Sequence, residues 1–406
     1  MRLMNNSEHM AVRRATTAQS LRQRLVNHLV NGASTDLAVD QALIETQNFV
    51  SPERAQKERE LFCDLPILAG FSSEIPESGD AMLFEDLGVP VVLARGEDGV
   101  VRAFRNMCLH RGTKLIAPES GRTCHLASSF ACPFHAWRYD LQGHLLAIPG
   151  QNGFPKVHLG QALMTLCVEE WGGMLFVKLA GDDQNVGLAA HLGAFDEELT
   201  LLALEGLVPI QHSELLARTN WKLAMDTYGE SYHFGTLHSN TIGQSHYSDV
   251  AVFDAFGPHY RMAFASRDLS QLTGIDPDNW PEARFAGVWF LFPNSLFVVG
   301  SLSDGAMCVR CFRLFPHQDP GHMRCHITVL APPEVAADKA RVAQEFANDD
   351  ATSEITLEDY GVAEDAFTNF AHAPLDHRIV IGRNEPAVQH FHRALSDYLL
   401  GVQPDP

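Results

Sequence analysis

The sequence predicts an α+β protein with an all-β domain and a second domain in which helices cover an antiparallel sheet. From about 65 to 180, short β-type runs such as VPVVLARG and GMLFVKL alternate with Gly, Pro and Asp turns. Residues 250–332 are again rich in strand-like runs, and helical periodicity follows in 334–371 and 385–400. Strands followed by helices are typical of an α+β domain. The predicted parts are N-terminal helices over 1–64 that pack with the second domain, the all-β domain over 65–180, and the second domain over 181–406.

Two helices are predicted before the all-β domain. Residues 14–32 carry Leu21, Leu25 and Leu29 at helical spacing and end at Gly32. The second helix covers 51–63, with Ser51 as its N-cap and a proline in its first turn. The first of these helices is amphipathic, so we expect it to pack one side against the rest of the protein.

Later segments predict two more helices and a pair of buried strands. Residues 187–206 and 220–238 read as helical. The most apolar stretch, 285–302, is interrupted by Pro293 and Asn294. This interruption favours two buried strands joined by a turn over a membrane span.

Composition limits the function classes. The 406 residues carry 30 basic and 50 acidic side chains, a net charge of −20, which argues against a nucleic-acid binder because phosphate neutralisation needs a basic surface. The first residues lack the apolar core of a secretory signal, and the eight cysteines are scattered along the chain. We therefore expect a cytoplasmic protein with reduced thiols and no membrane partner. Twenty histidines are a reason to look for metal sites.

The all-β domain contains a paired Cys/His motif. The runs NMCLHRGTKL and ACPFHAWRYD place Cys108 with His110 and Cys132 with His135. Spacing alone allows one tetrahedral zinc ion or a [2Fe–2S] cluster with both cysteines on one iron and both histidines on the other. Because each half pairs one cysteine with one histidine, each loop can reach both metals of a two-iron cluster, and the flanking residues resemble those of Rieske proteins.

A second group of metal-type residues lies in NWKLAMDTYGESYHFGTLHSN, over 220–240. His233 and His238 are separated by about 140° on a regular helix, but the intervening Gly235 can end the helix and let both rings reach one metal. Glu230 and Asp226 precede His233 by three and seven residues and share its helical face. Two histidines and a carboxylate form the facial triad of non-haem Fe(II) oxygenases, which leaves positions open for dioxygen.

With both motifs in one chain, the sequence resembles the large (α) subunit of Rieske non-haem iron oxygenases, the aromatic ring-hydroxylating oxygenase family. The resemblance implies a Rieske domain over about 65–180 and a catalytic domain of the SRPBCC (Bet v 1-like) type beyond it. It also implies two cofactors, a Rieske [2Fe–2S] cluster and a mononuclear Fe(II). The family's third iron ligand is a carboxylate on a late helix, and the matching stretch is YGVAEDAFTNFAH, 360–372. We choose Asp365 there, with Glu364 as its competitor and Asp359 as the third candidate.

The resemblance further implies how the two sites cooperate. The sites of one subunit are far apart, and a homotrimer brings one subunit's cluster against the next subunit's iron. By position, Glu230 is the bridging carboxylate, linking His135 of one chain to His233 of another, while the role of Asp226 is less defined. A reductase, with or without a ferredoxin, supplies electrons, and a small β subunit is possible.

The resemblance centres on O2-dependent hydroxylation of an aromatic substrate. Oxidation of a quaternary ammonium compound, or N- or O-demethylation, is the alternative within the family. A Rieske electron-transfer protein without oxygenase activity is the rival from another class, which an intact second site disfavours. Three further groups are interpreted as packing or loop features: Cys308 with Cys311, the pair Cys124–His125, and the late histidines 372, 377, 390 and 392.

Overall fold

The structure is a computed structural model that describes residues 6–117, 122–181, 185–345 and 354–402. Its helices are α1 (Asn6–Val30), α2 (Gln47–Val50), α3 (Pro52–Asp64), α4 (Leu188–Leu192), α5 (Phe195–Thr200), α6 (Trp221–Asp226), α7 (Ile242–Ser245), α8 (Pro333–Ala337), α9 (Lys339–Glu345), α10 (Glu354–Phe370) and α11 (Pro386–Leu399). None of these helices has the length and apolar content needed to cross a membrane.

The strands alternate with short turns through most of the chain. They are β1 (Ala42–Glu45), β2 (Ile67–Phe71), β3 (Asp80–Phe84), β4 (Val91–Arg95), β5 (Val101–Arg105), β6 (Thr123–His125), β7 (Ser129–Ala131), β8 (Arg138–Asp140), β9 (Leu145–Ala147), β10 (Thr165–Trp171), β11 (Met174–Lys178), β12 (Val208–Ala217), β13 (His246–Phe256), β14 (His259–Ser266), β15 (Gly287–Leu291), β16 (Ser295–Ser301), β17 (Met307–Pro316), β18 (Met323–Ala331) and β19 (Arg378–Ile381).

The chain divides into two compact units. One comprises Glu60–His191 with Leu204–Val208, and the other comprises Met1–Arg59, Leu192–Ala203 and Pro209–Pro406. The first unit contains a seven-stranded sheet in the order β2-β11-β10-β5-β4-β3-β6 and a three-stranded sheet, β7-β8-β9. Its buried core includes Phe104, Phe130, Trp137 and Tyr139. The predicted all-β character of this region is confirmed.

The second unit is organised around a seven-stranded sheet in the order β12-β18-β17-β16-β15-β14-β13, antiparallel from β13 to β18. The apolar stretch predicted to form two strands does so as β15 and β16, which turn at Pro293 after a cis peptide bond. Helix α1 packs Leu21 and Leu25 against β13 and β14, as their helical spacing predicted. The α+β prediction is therefore confirmed.

A buried carboxylate fixes the helix that precedes the second motif. Glu58 of α3, whose side chain is fully buried, accepts hydrogen bonds from Lys222 Nζ at 2.7 Å and Trp221 Nε1 at 3.0 Å, both on α6. Arg54 Nε donates to its other oxygen at 3.0 Å. Ser51 caps α3 as predicted, accepting from Arg54 N at 3.2 Å. Breaking a buried ion pair by removing one partner is strongly destabilising, so this contact holds the start of the metal-type segment in place.

Two predicted helices are shorter than expected. The helix predicted over 187–206 is divided into α4 and α5 at Gly193, which has a φ of +49° in the left-handed region. The helix predicted over 220–238 ends at Asp226, and 227–241 form turns. The backbone N–H groups of Tyr232 and His233 donate to the Glu230 carboxylate, and this bonding competes with helical hydrogen bonds.

Candidate active site

The first motif lies on two loops with the same hydrogen-bonding pattern. Cys108 N–H donates to Thr113 O and Cys132 N–H donates to Trp137 O, both at 2.9 Å. Each loop buries its cysteine, with 2% and 3% of the residue exposed, and carries its histidine nearer the surface. The two halves of the motif are therefore structural equivalents.

Left-handed backbone closes both loops. Gly112 has a φ of +75° and Ala136 a φ of +57°, and their N–H groups donate back to the carbonyls of Cys108 at 3.0 Å and Cys132 at 2.9 Å. Glycine adopts this conformation without steric cost, whereas alanine is strained there. Strain at a non-glycine residue persists only where the surrounding structure imposes it, so the second loop is held firmly.

The four side chains separate into two pairs. The Nδ1 atoms of His110 and His135 face each other at 3.2 Å, while the two cysteines lie in the core. Among the described residues, only one group of three ligand atoms lies within 4.8 Å of one another, and it is elsewhere in the chain. The two cysteines and two histidines of the first motif therefore do not converge on a single ion. Paired thiolates inside and paired imidazoles outside fit a two-iron Rieske cluster and not one tetrahedral zinc.

Aromatic side chains support the cluster loops. Trp137 stacks on the His110 ring with centroids 4.9 Å apart and planes 5° apart. The Tyr139 hydroxyl lies 3.1 Å from Cys108 Sγ and accepts a hydrogen bond from Leu109 N at 3.1 Å. Burial raises the pKa of Tyr139, which keeps the hydroxyl protonated and able to donate to the sulfur. The contact between Tyr139 and Cys108 was not predicted from the sequence.

The second motif forms a three-residue cluster in the other unit. His233, His238 and Asp359 each offer one ligand atom, and these atoms lie within 4.8 Å of one another. Asp359 Oδ1 is 2.9 Å from His238 Nε2 and 3.5 Å from His233 Nε2. The side chain of Asp359 is 6% exposed and that of His238 is 1% exposed. Two imidazoles and one carboxylate on one side of a metal match the facial triad of non-haem iron sites.

The far nitrogen of each histidine is held by a glutamate. His233 Nδ1 pairs with Glu230 Oε1, and His238 Nδ1 lies 2.6 Å from Glu358 Oε2. Metal-bound histidines normally donate their other N–H to such an acceptor, which fixes the tautomer and the ring orientation. His233 Nε2 is buried and has no hydrogen-bond partner. Because buried polar atoms are rarely left unpaired, this nitrogen fits a metal ligand.

A cavity of about 1010 Å³ opens in front of this cluster. Helix α1, the sheet strands and α10 all contribute to its wall. The aromatic residues that line it are Tyr228, Phe234, Phe264 and Phe312. A concave, largely apolar space with a few polar groups is the usual form of a small-molecule site, so the metal-type cluster faces a substrate-sized space.

Comparison with known families gives matches to both parts of the chain. The family model described as the Rieske [2Fe-2S] domain matches residues 66–159. The model described as the ring hydroxylating alpha subunit (catalytic domain) matches residues 204–401. The chain belongs to the Rieske oxygenase alpha subunits. A Rieske [2Fe–2S] cluster and a mononuclear non-haem iron are accordingly its cofactors.

Relatives of this chain carry the names of oxygenases with different substrates. The glycine betaine monooxygenase oxygenase subunit of Chromohalobacter salexigens is 31% identical over 57% of this chain and 48% of its own length. The alpha subunit of 2-aminobenzenesulfonate 2,3-dioxygenase of an Alcaligenes species is 32% identical over 43% of this chain and 45% of its own. The matched region thus spans about half the length of these curated relatives.

Solved structures show the same fold across nearly the whole chain. A quaternary ammonium Rieske monooxygenase in complex with L-carnitine superposes with a TM-score of 0.72 at 21% identity, covering 90% of this chain and 97% of that one. This agreement extends beyond the segments matched in sequence, so the arrangement of elements described above is that of Rieske oxygenases.

The carboxylate that the structure brings to His233 and His238 is Asp359, whereas the sequence prediction was Asp365. Asp365 is exposed and lies six residues further along α10, about 240° around the helix from Asp359. Glu364, the competing candidate, accepts from Arg218 N at 2.8 Å. Two Glu-Asp pairs occur in this helix, at 358–359 and 364–365; the resemblance pointed to the second pair, and the structure places the first beside the histidines.

Asp226 lies outside the ligand cluster. Both of its oxygens face His392 Nε2 of α11, at 2.9 and 3.0 Å. Burial raises the pKa of Asp226, and the facing His392 opposes that rise. The structure therefore assigns Asp226 a packing contact between α6 and α11, and places His392 among the structural histidines, as predicted.

The other groups that we interpreted as packing or loop features have surroundings that fit this interpretation. Cys308 and Cys311 are buried cysteines in β17, and neither belongs to a set of three converging ligands among the described residues. His125 pairs with Asp80 at 2.8 Å. Burial lowers the pKa of His390 to about 4, so this residue is neutral in the folded protein.

Proposed function

We propose that this chain is the terminal oxygenase component of a multicomponent Rieske oxygenase and oxidises a small organic substrate at the cluster His233, His238 and Asp359. The observation that carries the proposal is His233 Nε2, a buried atom that has no hydrogen-bond partner and faces Asp359 Oδ1 at 3.5 Å beside the cavity. If the histidines were only structural, we would expect this nitrogen to have a hydrogen-bond partner. The rival interpretation, an electron carrier without a second iron, leaves the atom unexplained.

The residues of the chain have distinct tasks in this reaction. Cys108, His110, Cys132 and His135 would hold the [2Fe–2S] cluster. When bound, the two metal centres supply electron storage and O2 activation. The net reaction of a monooxygenase places one oxygen atom in the substrate and reduces the other to water with two electrons from NAD(P)H and two protons. Glu230 and Glu358 hold the imidazole rings so that both Nε2 atoms face the same point.

Iron and sulfide analysis of the purified protein tests this proposal directly. One [2Fe–2S] cluster and one mononuclear iron give three irons per two sulfides in each chain. Two irons per two sulfides would support the electron carrier instead. A zinc-only preparation would contradict both interpretations.

We also propose a homotrimer in which electrons pass between neighbouring chains, supplied by a reductase with or without a ferredoxin. The tip of the Rieske loops suits docking, because Met107, Leu109 and Phe134 are exposed apolar side chains beside His135. Exposed apolar groups clustered on one surface are typical of interaction sites. Glu230, which already holds His233, would receive His135 of the neighbouring copy. A small β subunit remains compatible with this arrangement.

The variant Glu230→Ala tests the bridge. We expect both metal centres to remain bound while electron transfer from the reduced cluster to substrate oxidation slows by about 10- to 100-fold, the usual cost of losing an outer partner of a metal ligand. Stopped-flow oxidation of the pre-reduced cluster measures this. Glu230→Asp, which keeps the carboxylate, is the matched control. Turnover at the wild-type rate in the alanine variant would show that Glu230 is not the bridge.

For the substrate, we propose a quaternary ammonium compound. The relatives include a glycine betaine monooxygenase, and four aromatic rings line the cavity, a lining that attracts methylated ammonium groups. Aromatic ring hydroxylation, the expectation from the family's main activity, is the second candidate because a 2-aminobenzenesulfonate dioxygenase subunit is also a relative. Substrate-dependent O2 uptake with a surrogate reductase, compared between betaines and aromatic acids, distinguishes them.

A further inference from the structure

The cavity reaches both faces of the seven-stranded sheet of the second unit. On β14 it is lined by Ala263 and the next residue, Phe264, and on β16 by Val298 and the next residue, Val299. Because consecutive side chains of a strand point to opposite faces of a sheet, we would expect a space on one face to contact only one residue of each pair. The cavity therefore passes from one face of the sheet to the other at this end of the strands.

The passage lies where β14 and β15 separate. The ladder between these two strands ends at the pair Met262 and Val288, whereas β14 continues to Ser266. Residues 267–286, which we call the connecting segment, join the two strand ends and contain only 3-10 turns. Connections of this length without an α-helix or strand are uncommon in compact domains and are usually functional. The connecting segment and the two strand ends therefore surround an opening at the end of the sheet.

One end of the cavity is the buried metal-type cluster. The Phe264 ring packs on Phe234 with centroids 5.2 Å apart, and Phe234 packs on His233 with centroids 5.1 Å apart. His238 and Asp359, which also line the cavity, are both buried. A small molecule that reacts at this cluster must therefore travel through the cavity from a more exposed end.

The more exposed end lies at the connecting segment. Pro281, Glu282 and Arg284 line the cavity there, and all three are exposed. Ser301, at the end of β16, also lines the cavity and is exposed. The burial of the lining residues thus decreases from the ligand cluster toward the connecting segment, which makes this end the contact of the cavity with solvent.

Helix α1 forms the opposite side of this exposed end. Its lining residues are one stripe of the helix, three or four positions apart: Ala18, Leu21, Arg22 and Leu25. Leu21 and Leu25 pack with Ala263, on the face of β14 that is opposite to Phe264. The family models match residues 66–159 and 204–401, so α1 is a wall of the cavity that neither match covers.

A cation–π contact joins α1 to the connecting segment. The Arg22 guanidinium lies 5.2 Å from the centroid of the Trp280 ring, and Arg22 Nε is a buried atom without a hydrogen-bond partner. Trp280 Nε1 donates to Ile275 O at 3.1 Å, so the indole is bound to its own segment. Cation–π contacts near solvent are weak. The pair can therefore separate and re-form while α1 and the sheet stay in place.

We propose that the substrate enters through the opening between β14 and β15, and that Arg22 and Trp280 form a gate at its outer mouth. The inference rests on the proposed function, because it supposes that a small molecule reacts at the cluster. Ala18, which is 3% exposed and lies one turn before Arg22, leaves room beside the gate. Residues 18–25 of α1 and Trp280 thus determine which molecules reach the iron ligands, and how fast.

Binding kinetics of the holoenzyme test the gate. The probes are glycine betaine and benzoate, one from each proposed substrate class, and stopped-flow protein fluorescence gives the association rate constant. Ala18→Phe places a ring in the mouth and should lower this constant by about tenfold or more. Trp280→Ala should raise it by about two- to fivefold, the factor that corresponds to one exposed cation–π contact.

The equilibrium constant separates a gate from a binding residue. A gate contacts the probe in transit and not in its bound position, so association and dissociation should change by the same factor. Isothermal titration calorimetry should then give a Kd within about twofold of the wild type in both variants. Ala15→Phe, the same substitution at an exposed position of α1 outside the cavity lining, should match the wild type in rate constants and Kd.

Three outcomes would overturn the proposal. They are an unchanged association rate constant in Trp280→Ala, a higher Kd caused by faster dissociation, and no binding of either probe to the wild type at millimolar concentration. Trp280 lies in a largely exposed segment, so its variant decides the question even if Ala18→Phe does not fold. Iron and sulfide content in the same samples judges the proposed function separately, since entry of a probe does not require turnover.

Discussion

The two metal sites of this protein are built in opposite ways. The Rieske loops are two equivalent turns about twenty residues apart in sequence, and they present their histidines near the surface. The mononuclear site buries His238 and Asp359, leaves His233 half-buried, and takes these residues from an irregular segment and from α10, about 120 residues later. The first site depends on local backbone geometry, and the second depends on the packing of distant elements.

This difference shows how each site suits its task. An electron-transfer centre must come close to other proteins, so exposed histidines on a tightly bonded turn serve it well. A centre that reacts with O2 must exclude water and hold its ligands in place, which buried side chains with outer hydrogen-bond partners achieve. Substitutions should therefore affect the two sites independently.

The largest expected effect comes from Asp359→Ala. Loss of a direct ligand should empty the mononuclear site, leaving two irons per two sulfides, and reduce O2-dependent turnover by more than the roughly 100-fold that loss of an outer partner costs. The visible spectrum of the Rieske cluster should remain unchanged. Metal analysis and turnover of the purified variant measure both.

Asp365→Ala is the control for that experiment. This residue is exposed on the same helix, so we expect wild-type iron content and activity. If Asp365→Ala lost the mononuclear iron and Asp359→Ala kept it, the ligand assignment from the structure would be reversed.

A smaller effect is expected for Glu358→Gln. The substitution weakens the acceptor at His238 Nδ1, and loss of such a partner costs about 10- to 100-fold in metal affinity. Competition with a chelator gives the affinity for the mononuclear iron. Glu354→Gln, which changes an exposed residue one turn earlier on α10, should match the wild type. Equal affinities in both variants would mean that Glu358 does not support the ligand.

The smallest effect concerns Tyr139→Phe in the Rieske loops. A hydrogen bond to a cluster sulfur favours the reduced state, so its loss should lower the reduction potential. A net value of about 1 kcal/mol for one hydrogen bond corresponds to roughly 40 mV for a one-electron couple. Redox titration followed by visible absorbance measures the shift. Iron content and the mononuclear site should stay intact, and an unchanged potential would exclude a role for this hydroxyl.

The sequence allowed the fold and the Rieske site to be predicted because both follow from local patterns. Each of these patterns can be recognised within a few residues of sequence: the alternation of strands, the Gly and Pro turns, and the Cys-x-His spacing. Asp359 could not be selected in this way, since α10 offers two Glu-Asp pairs and only the packing of α10 near the metal segment distinguishes them. Thr219 Oγ1 fixes that packing by donating to Ala363 O at 2.7 Å, a contact between residues 144 positions apart.

The irregular segment after α6 was mispredicted for a related reason. Periodicity over 220–238 favours a helix, but the Glu230 carboxylate accepts backbone hydrogen bonds from the residues that would continue it. Gly243 also lies so close to the chain that an added Cβ would stand 2.3 Å from Phe234 O. A side chain that bonds its own backbone, and a glycine required by a close approach, leave no periodic signal in the sequence.

The alternation of side chains along β17 has a practical consequence for laboratory evolution of this enzyme. Arg310 and Phe312 face the cavity, whereas Val309 and Cys311, which alternate with them along the strand, do not line it and are fully buried. Mutant libraries restricted to every second position of this strand and of β18, where Ile327 and Val329 line the cavity, would alter which molecules are accepted while the buried residues between the chosen positions stay unchanged. The residues that face the substrate space and those that maintain the sheet therefore alternate along the strand and can be changed separately.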